Sequence, residues 1–282
     1  MTRKPRIAIV GAGSLANSLV PALRECGYTI SEIIVRNSPG SRQRARRMAA
    51  RVGASVVTAR TAALDAPLLW FCVPDREIRA ASASLAELAG GKVQFAFHSS
   101  GALTSRELEA LRKSGIAVAS VHPLMTFVPN SRPILRGVPF AVEGDAAAMR
   151  LAQRIVRDLG GDAFALPAQR KAAYHAWATM TSPLLLAFLV TLEDAVVAAG
   201  MPREDSRRLS LPIIRQTIDN YARLGPQHSF SGPIIRGDVE TVAKHLAVLK
   251  KIPGAGEVYV ALAHNALRRL PVKNRKELAK LL

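Results

Sequence analysis

Aromatic side chains are scarce in this chain, at 5% of its residues, and no basic stretch is interleaved with them. That argues against a single-strand nucleic-acid platform, which stacks bases on aromatics beside a cationic groove. Acid is scarce too: 21 Asp and Glu face 39 Lys and Arg, for a net charge of +18. The excess is dispersed, around residues 42–51, 203–215 and 268–280, so it suits attraction of small anionic ligands better than nucleic acid. Cys26 and Cys72 are the two cysteines, far apart and in apolar surroundings. They provide no disulfide framework and read as reduced thiols of a cytoplasmic protein. His228, His245 and His264 form no H-E-x-x-H or Cys/His pairing, so no metal is expected. The longest apolar run, Leu184 to Val190, is followed by Thr191, Leu192, Glu193 and Asp194. It falls short of the ~20 residues of a membrane span. The basic leader Met1 to Arg6 runs straight into an apolar stretch, without the pattern of a secretory signal.

What is present is concentrated first between Ile7 and Ser38. An apolar run, Ile7 to Val10, breaks into Gly11, Ala12, Gly13, Ser14, Leu15, Ala16, which fits G-x-G-x-x-A. Apolar residues then recur at helical spacing, at Leu15, Leu19, Ala22 and Leu23, before a second run at Ile33 to Val35. Strand, glycine turn, helix and strand in about 30 residues is the frame of a dinucleotide site. Gly11 allows the tight turn, Gly13 lets a pyrophosphate approach the backbone, and Ala16 lets the helix pack on the strand. Ser14 and Leu15 open the helix, whose free N–H groups and positive dipole end suit phosphate.

One further absence selects the cofactor. An NAD site places Asp or Glu at the end of the second strand, on the ribose 2′-OH. Here that position holds Arg36, Asn37 and Ser38, and no carboxylate follows until Asp65. A guanidinium with amide and hydroxyl neighbours suits a 2′-phosphate, so the cofactor predicted is NADP.

Beyond this unit, β and α patterns alternate as far as Leu166. Strand Leu68 to Val73 ends in Pro74 and Asp75, strand Val93 to Phe97 in His98, Ser99, Ser100 and Gly101, and strand Ala117 to Val121 in His122 and Pro123. From Pro167 onward the pattern is helical, about 168–200, 204–224, 238–250 and 255–270, with Pro183 kinking the first helix and a loosely held basic tail from Pro271. The expected architecture is a Rossmann-type, doubly wound, mostly parallel α/β sheet over 1–166, followed by an all-α domain over 167–282. Leu184 to Val197 is apolar nearly all round, and such a helix needs cover on every side. A homodimer through the helical domain is expected to supply it.

Lys171, His175, Ala178 and Ser182 are spaced i, i+4, i+7, i+11. On one helix they would share a face about 60° wide. Such a stripe offers a cation, an imidazole and a hydroxyl, which are what hydride transfer to C=O or C=N asks of a protein. Lys171, His175 and Ser182 are therefore the catalytic candidates. Val73, Pro74 and Ser99 are expected beside the cofactor, and His98, Ser100 and His122 beside substrate. Arg236, in the loop Ser231 to Asp238, could grip a carboxylate, with Asp238 capping the following helix.

In order, GAGSLA, VPD at 73–75, HSSG at 98–101, HPL at 122–124, KAAYHA and GPIIRGD resemble one uncharacterised bacterial family. These are NADP-oxidoreductase-like proteins with a Rossmann-like first domain and a C-terminal domain of unknown function (DUF2520), similar in plan to pyrroline-5-carboxylate reductase and, more distantly, to 6-phosphogluconate and β-hydroxyacid dehydrogenases. The resemblance covers nearly the whole chain. It implies a Rossmann fold, NADP, and a lysine at Lys171 matching the dehydrogenases' catalytic lysine by placement. Tyr174 and His175 stand where those enzymes have asparagines, so the hydroxyacid substrate does not carry over. The resulting expectation is an NADP-dependent reductase of a small polar carbonyl or imine, probed against the alternative of a non-catalytic NADP(H) sensor.

Overall fold

The computed structural model describes residues 4–129 and 131–282; Met1 to Arg3 of the basic leader and Asn130 of the loop after His122 lie outside them. The chain divides into two compact units, 1–179 and 180–282.

The first unit is an eight-stranded sheet in the order β3-β2-β1-β4-β5-β6-β7-β8. Strands β1 (Ile7–Val10), β2 (Ile30–Ile34), β3 (Ser55–Val57), β4 (Leu68–Phe71), β5 (Phe95–His98) and β6 (Ala117–Pro123) are parallel. β7 (Pro139–Gly144) runs antiparallel to β6, and β8 (Asp162–Ala165) parallel to β7. This is the mostly parallel Rossmann-like arrangement expected, with the order reversing between β1 and β4.

Helices cover both faces. On one, α1 (Ser14–Glu25), α2 (Pro39–Val52) and α5 (Ala146–Asp158) insert Leu19, Leu23, Met48, Ile155 and their neighbours against Ile7, Ile9, Ile33 and Phe140. On the other, α3 (Asp75–Ala86) and α4 (Glu109–Lys113) bring Ile78, Leu85 and Leu111 against Ala8, Leu69, Phe71 and Val118. Strands buried on both faces read as continuous apolar runs, as LLWF does in β4.

The compact units part after Thr179, not after Leu166. Helix α6 (Lys171–Thr181) explains the difference, because Lys171 and Tyr174 are buried and bonded to Ser120 and His122 of β6 and to Ser100 in the turn after β5.

The second unit is helical: α7 (Pro183–Ala198), α8 (Asp205–Leu224), the single turns α9 (Pro226–Ser229) and α10 (Pro233–Arg236), then α11 (Val239–Leu249), α12 (Ala255–Arg269) and α13 (Arg275–Leu281). The helix expected over 168–200 is interrupted at Ser182, whose φ of −124° and ψ of −74° are not helical, and Pro183 restarts it at its first position. Asp238 caps α11, accepting from the Thr241 N–H at 3.0 Å. The tail from Pro271 is not loose. Leu278 is fully buried with Val242, Leu246 and Leu267, the Asn274 amide donates to the Gly237 carbonyl, and the Lys273 N–H donates to the Ile235 carbonyl.

Among the described residues, the helical stretch 168–198 is long and apolar enough, by length and composition alone, to cross a membrane, with a mean hydropathy of 1.6 over its best window. The sequence reading counted only the unbroken run from Leu184 and so passed over it. Its first turns are tied to the sheet through Lys171 and Tyr174, and it breaks at Ser182.

Candidate active site

The glycine turn lies at the C-terminal edge of the sheet. Gly11 has φ +103°, and a Cβ there would come within 2.6 Å of the Cys72 carbonyl oxygen, so both conformation and space demand glycine. Gly13 is the N-cap of α1 and offers no side-chain cap, which leaves the first-turn amides open. Ala16 is fully buried against the sheet, as close packing of α1 requires.

Beside this turn a crevice of about 690 Å³ runs along the ends of β1, β2 and β4. Gly11, Gly13, Arg36, Asn37, Val73 and Pro74 line it, as do Ser41, Arg44, Thr58, Arg60, Arg76 and Glu77. The donor set fits a phosphorylated dinucleotide: an uncapped helix N-terminus for pyrophosphate, and four arginines against one carboxylate for a further phosphate. Arg36 is already engaged, donating to Glu77 at 3.0 Å. Ser38, next after Asn37, is the N-cap residue of α2; Ser41, Arg44, Arg60 and Arg76 line the wall as well.

Cys72 and Val73 are shared with a second pocket of about 200 Å³, lined by Leu15, Asp75, Ser99, His122, Met125 and Phe127. Ser99 is held by Trp70, whose indole N–H donates to its Oγ at 2.9 Å.

Behind this pocket lies a row of buried polar groups fixed by strand register. His98 of β5 is paired with Ser120 of β6, and Ser120 with Glu143 of β7. His98 is fully buried, and burial pushes its pKa down to about 4. Its Nδ1 lies 3.1 Å from the Ser100 N–H and must accept from it; Nε2, 2.9 Å from the Thr104 carbonyl, therefore carries the proton. The ring pins the turn that follows β5, and both nitrogens are taken. Ser100 Oγ donates to Asp75 at 2.7 Å and accepts from the Leu103 N–H at 2.9 Å.

Lys171 is 1% exposed. Its ammonium donates to the Ser100 carbonyl at 2.8 Å and to Ser120 Oγ, which itself donates to the Ser100 carbonyl at 3.1 Å. Burial lowers its pKa to about 8, against the opposing pull of Glu143 and Asp75. At neutral pH it stays charged, clamping the HSSG turn from behind.

His122 faces the small pocket and is backed by Tyr174, with Nδ1 2.8 Å from the phenol oxygen. Burial first, then the charges of Lys171 and His175, lowers its pKa to about 4, while burial raises that of Tyr174 to about 12. Both are neutral at pH 7. His175 is exposed and neighbours the same spot: a Cβ at Gly101 would come within 2.8 Å of both His122 Nε2 and His175 Cδ2.

The first unit thus brings together Lys171, His175, Ser99, Ser100, His98 and His122. Ser182 and Arg236 belong to the second unit, and the helical phase that would align Ser182 with Lys171 and His175 stops at Thr181. Asp75, Ser120, Glu143 and Tyr174 were missed as site residues. A serine inside the buried run AVASV and a carboxylate closing VPD were the available signals.

Comparison with known proteins agrees with this geometry. Residues 6–94 match the family described as NADP oxidoreductase, coenzyme F420-dependent, and residues 138–266 match the domain of unknown function DUF2520. No curated protein matches. Among solved structures, a candidate NADP oxidoreductase of Bacteroides fragilis superposes with a TM-score of 0.77 at 20% identity, over 94% of this chain and 99% of its own. Pyrroline-5-carboxylate reductase of Coxiella burnetii gives 0.61 at 16%, over 98% and 99%. The imine reductase of Myxococcus stipitatus, in complex with NADP+, gives 0.63 at 16%, over 94% of each chain. Identities this low speak for the fold alone. With its glycine turn, its sheet order and both matches in sequence, the chain resembles the bacterial NADP-oxidoreductase-like proteins that join a Rossmann-like domain to DUF2520, and it shares its fold with pyrroline-5-carboxylate reductase.

Proposed function

We propose that the chain is an NADP-dependent reductase of a small polar carbonyl or imine bearing a carboxylate. The observation that carries this is the continuity, through Cys72 and Val73, of an arginine-lined crevice with a small pocket holding His122. The imine reductase with NADP+ and pyrroline-5-carboxylate reductase, which share the fold, support the substrate class.

NADPH, when bound, supplies the hydride. Gly11, Gly13, Ser14 and Leu15 would hold its pyrophosphate side, and Arg36, Asn37 and Ser38 its 2′-phosphate side, with Val73, Pro74 and Ser99 lining the way to the small pocket. His122 is neutral, with Nδ1 2.8 Å from the Tyr174 phenol oxygen; in the tautomer in which the phenol donates to Nδ1, Nε2–H is left to polarise the substrate's oxygen or nitrogen. His175, beside it at Gly101 and open to solvent, delivers the proton. Lys171 acts through Ser100 and Ser120 as a positioning residue, because its ammonium is buried behind them. In the second unit, Ser182 and Arg236 are the candidates for orienting a substrate and binding a carboxylate. A homodimer covering α7 and a cytoplasmic location complete the reading; the free thiols of Cys26 and Cys72 support the latter.

The test has two stages. Fluorescence titration should show NADPH binding, and a panel of keto acids and cyclic imines should contain at least one compound whose addition oxidises NADPH faster than buffer. Binding without turnover across the panel would favour the sensor instead.

A further inference from the structure

The crevice contains one ion pair that spans it. Arg36 follows β2, and Glu77 lies in the first turn of α3, at the end of β4. The Arg36 guanidinium donates to Glu77 Oε1 at 3.0 Å, with the arginine side chain 70% exposed and the glutamate 22%. Glu77 is the carboxylate of a wall otherwise charged by Arg36, Arg44, Arg60 and Arg76. Its place is fixed locally: its N–H donates to the Pro74 carbonyl at 2.8 Å, and an acid in a helix's first turn is favoured by the dipole. The mobile partner is therefore the long, exposed arginine.

We propose that Arg36 and Glu77 form a latch in which Glu77 occupies the guanidinium that a 2′-phosphate takes, so that Glu77 sets how strongly the chain discriminates NADPH from NADH. This rests on the NADP reading above. A phosphate dianion is the better partner for a guanidinium fork, since it carries more charge and accepts two parallel bonds. When it takes Arg36 it displaces Glu77, and the freed carboxylate then faces a like charge. Both effects reduce NADPH affinity below what the arginines alone would give. NADH carries no 2′-phosphate and leaves the pair closed. Glu77 is thus a built-in competitor that makes cofactor release easier without altering the phosphate site.

Glu77→Gln removes the charge and keeps the shape. NADPH and NADH dissociation constants are measured by fluorescence titration at low and high salt, with folding checked by circular dichroism. NADPH should bind about threefold to tenfold tighter, the scale of one exposed ion pair plus one nearby repulsion. NADH should change by less than about twofold, and the gain should shrink in salt. In an Arg36→Gln background the same substitution should lose most of its effect, because no guanidinium is left to release. A native protein that binds NADPH while Glu77→Gln leaves the NADPH-to-NADH ratio unchanged overturns the latch and spares the cofactor reading. Weaker NADPH binding in Glu77→Gln also overturns it, since Glu77 would then be holding Arg36 in place for the phosphate. Failure of the native protein to bind either nucleotide overturns both.

Discussion

Helix α5 in the first unit and helix α7 in the second have 13 and 16 residues and opposite burial. α5 buries Ala148, Leu151, Ala152, Ile155 and Val156 along one stripe and turns Arg150 and Arg157 outward. α7 is the more apolar, yet none of its residues is buried, and Leu184 and Leu186 are 54% and 62% exposed. An amphipathic helix is satisfied by one sheet face. A helix without a polar side needs cover all round, which its own compact unit does not provide. The same contrast holds for polar groups. The first unit encloses His98, Lys171 and Glu143 and satisfies them, while Arg236 in the second lies exposed.

The widest test of this contrast places one charge in each helix. Ile155→Lys buries an unpaired ammonium in a closed core and should abolish folding of the first unit, at a cost of several kcal/mol. Leu186→Lys should leave the circular dichroism spectrum native and instead shift sedimentation from dimer to monomer. If Leu186→Lys unfolds the chain as Ile155→Lys does, α7 is covered differently from the way argued here.

Next comes Lys171→Met. It deletes the clamp on Ser100 and Ser120 without changing the crevice. Turnover should fall about 10²-fold, with NADPH affinity within about twofold of native. Gly101→Ala should act in the same direction by pushing His122 and His175 apart, and a crystal structure of that variant would show the displaced rings.

Acid should separate the units by a smaller amount. His98 and His122 titrate near 4 when folded and near 6.5 when unfolded, so the unfolded chain binds more protons between those values. Stability is full above about pH 6.5 and declines as pH falls toward 4, on the order of 2 kcal/mol per histidine. Urea melts at pH 7.5 and 5 should show the drop, and His122→Asn should flatten it. A slope unchanged in His122→Asn would mean that His122 does not titrate as its burial requires.

The smallest effect expected is at the cofactor end. Arg36→Asp should erase an NADPH preference of about tenfold, or ~1.4 kcal/mol, as read from the two dissociation constants. Arg36 lies largely in solvent, where charge is screened, which is why it is placed below the buried clamp.

Sequence alone determined the elements whose signals are local. Gly11, Gly13 and Ala16 sit in a strand–turn–helix of the kind a Rossmann-like unit uses, and the apolar strands with intervening amphipathic helices point to a doubly wound sheet. The missing acid after β2 and the polar ends of β4, β5 and β6 were legible for the same reason. Register and burial were not, because they depend on partners distant in the chain. Only the sheet brings His98, Ser120 and Glu143 into one row, and only that row shows that Lys171 points into the protein. The kink expected at Pro183 is a full interruption at Ser182, where the helical phase running from Lys171 ends. The pairing of Arg36 with Glu77, 41 residues apart, likewise comes from the crossover that lays α3 beside the end of β2. Local chemistry selects the elements; long-range pairing decides which of their side chains meet.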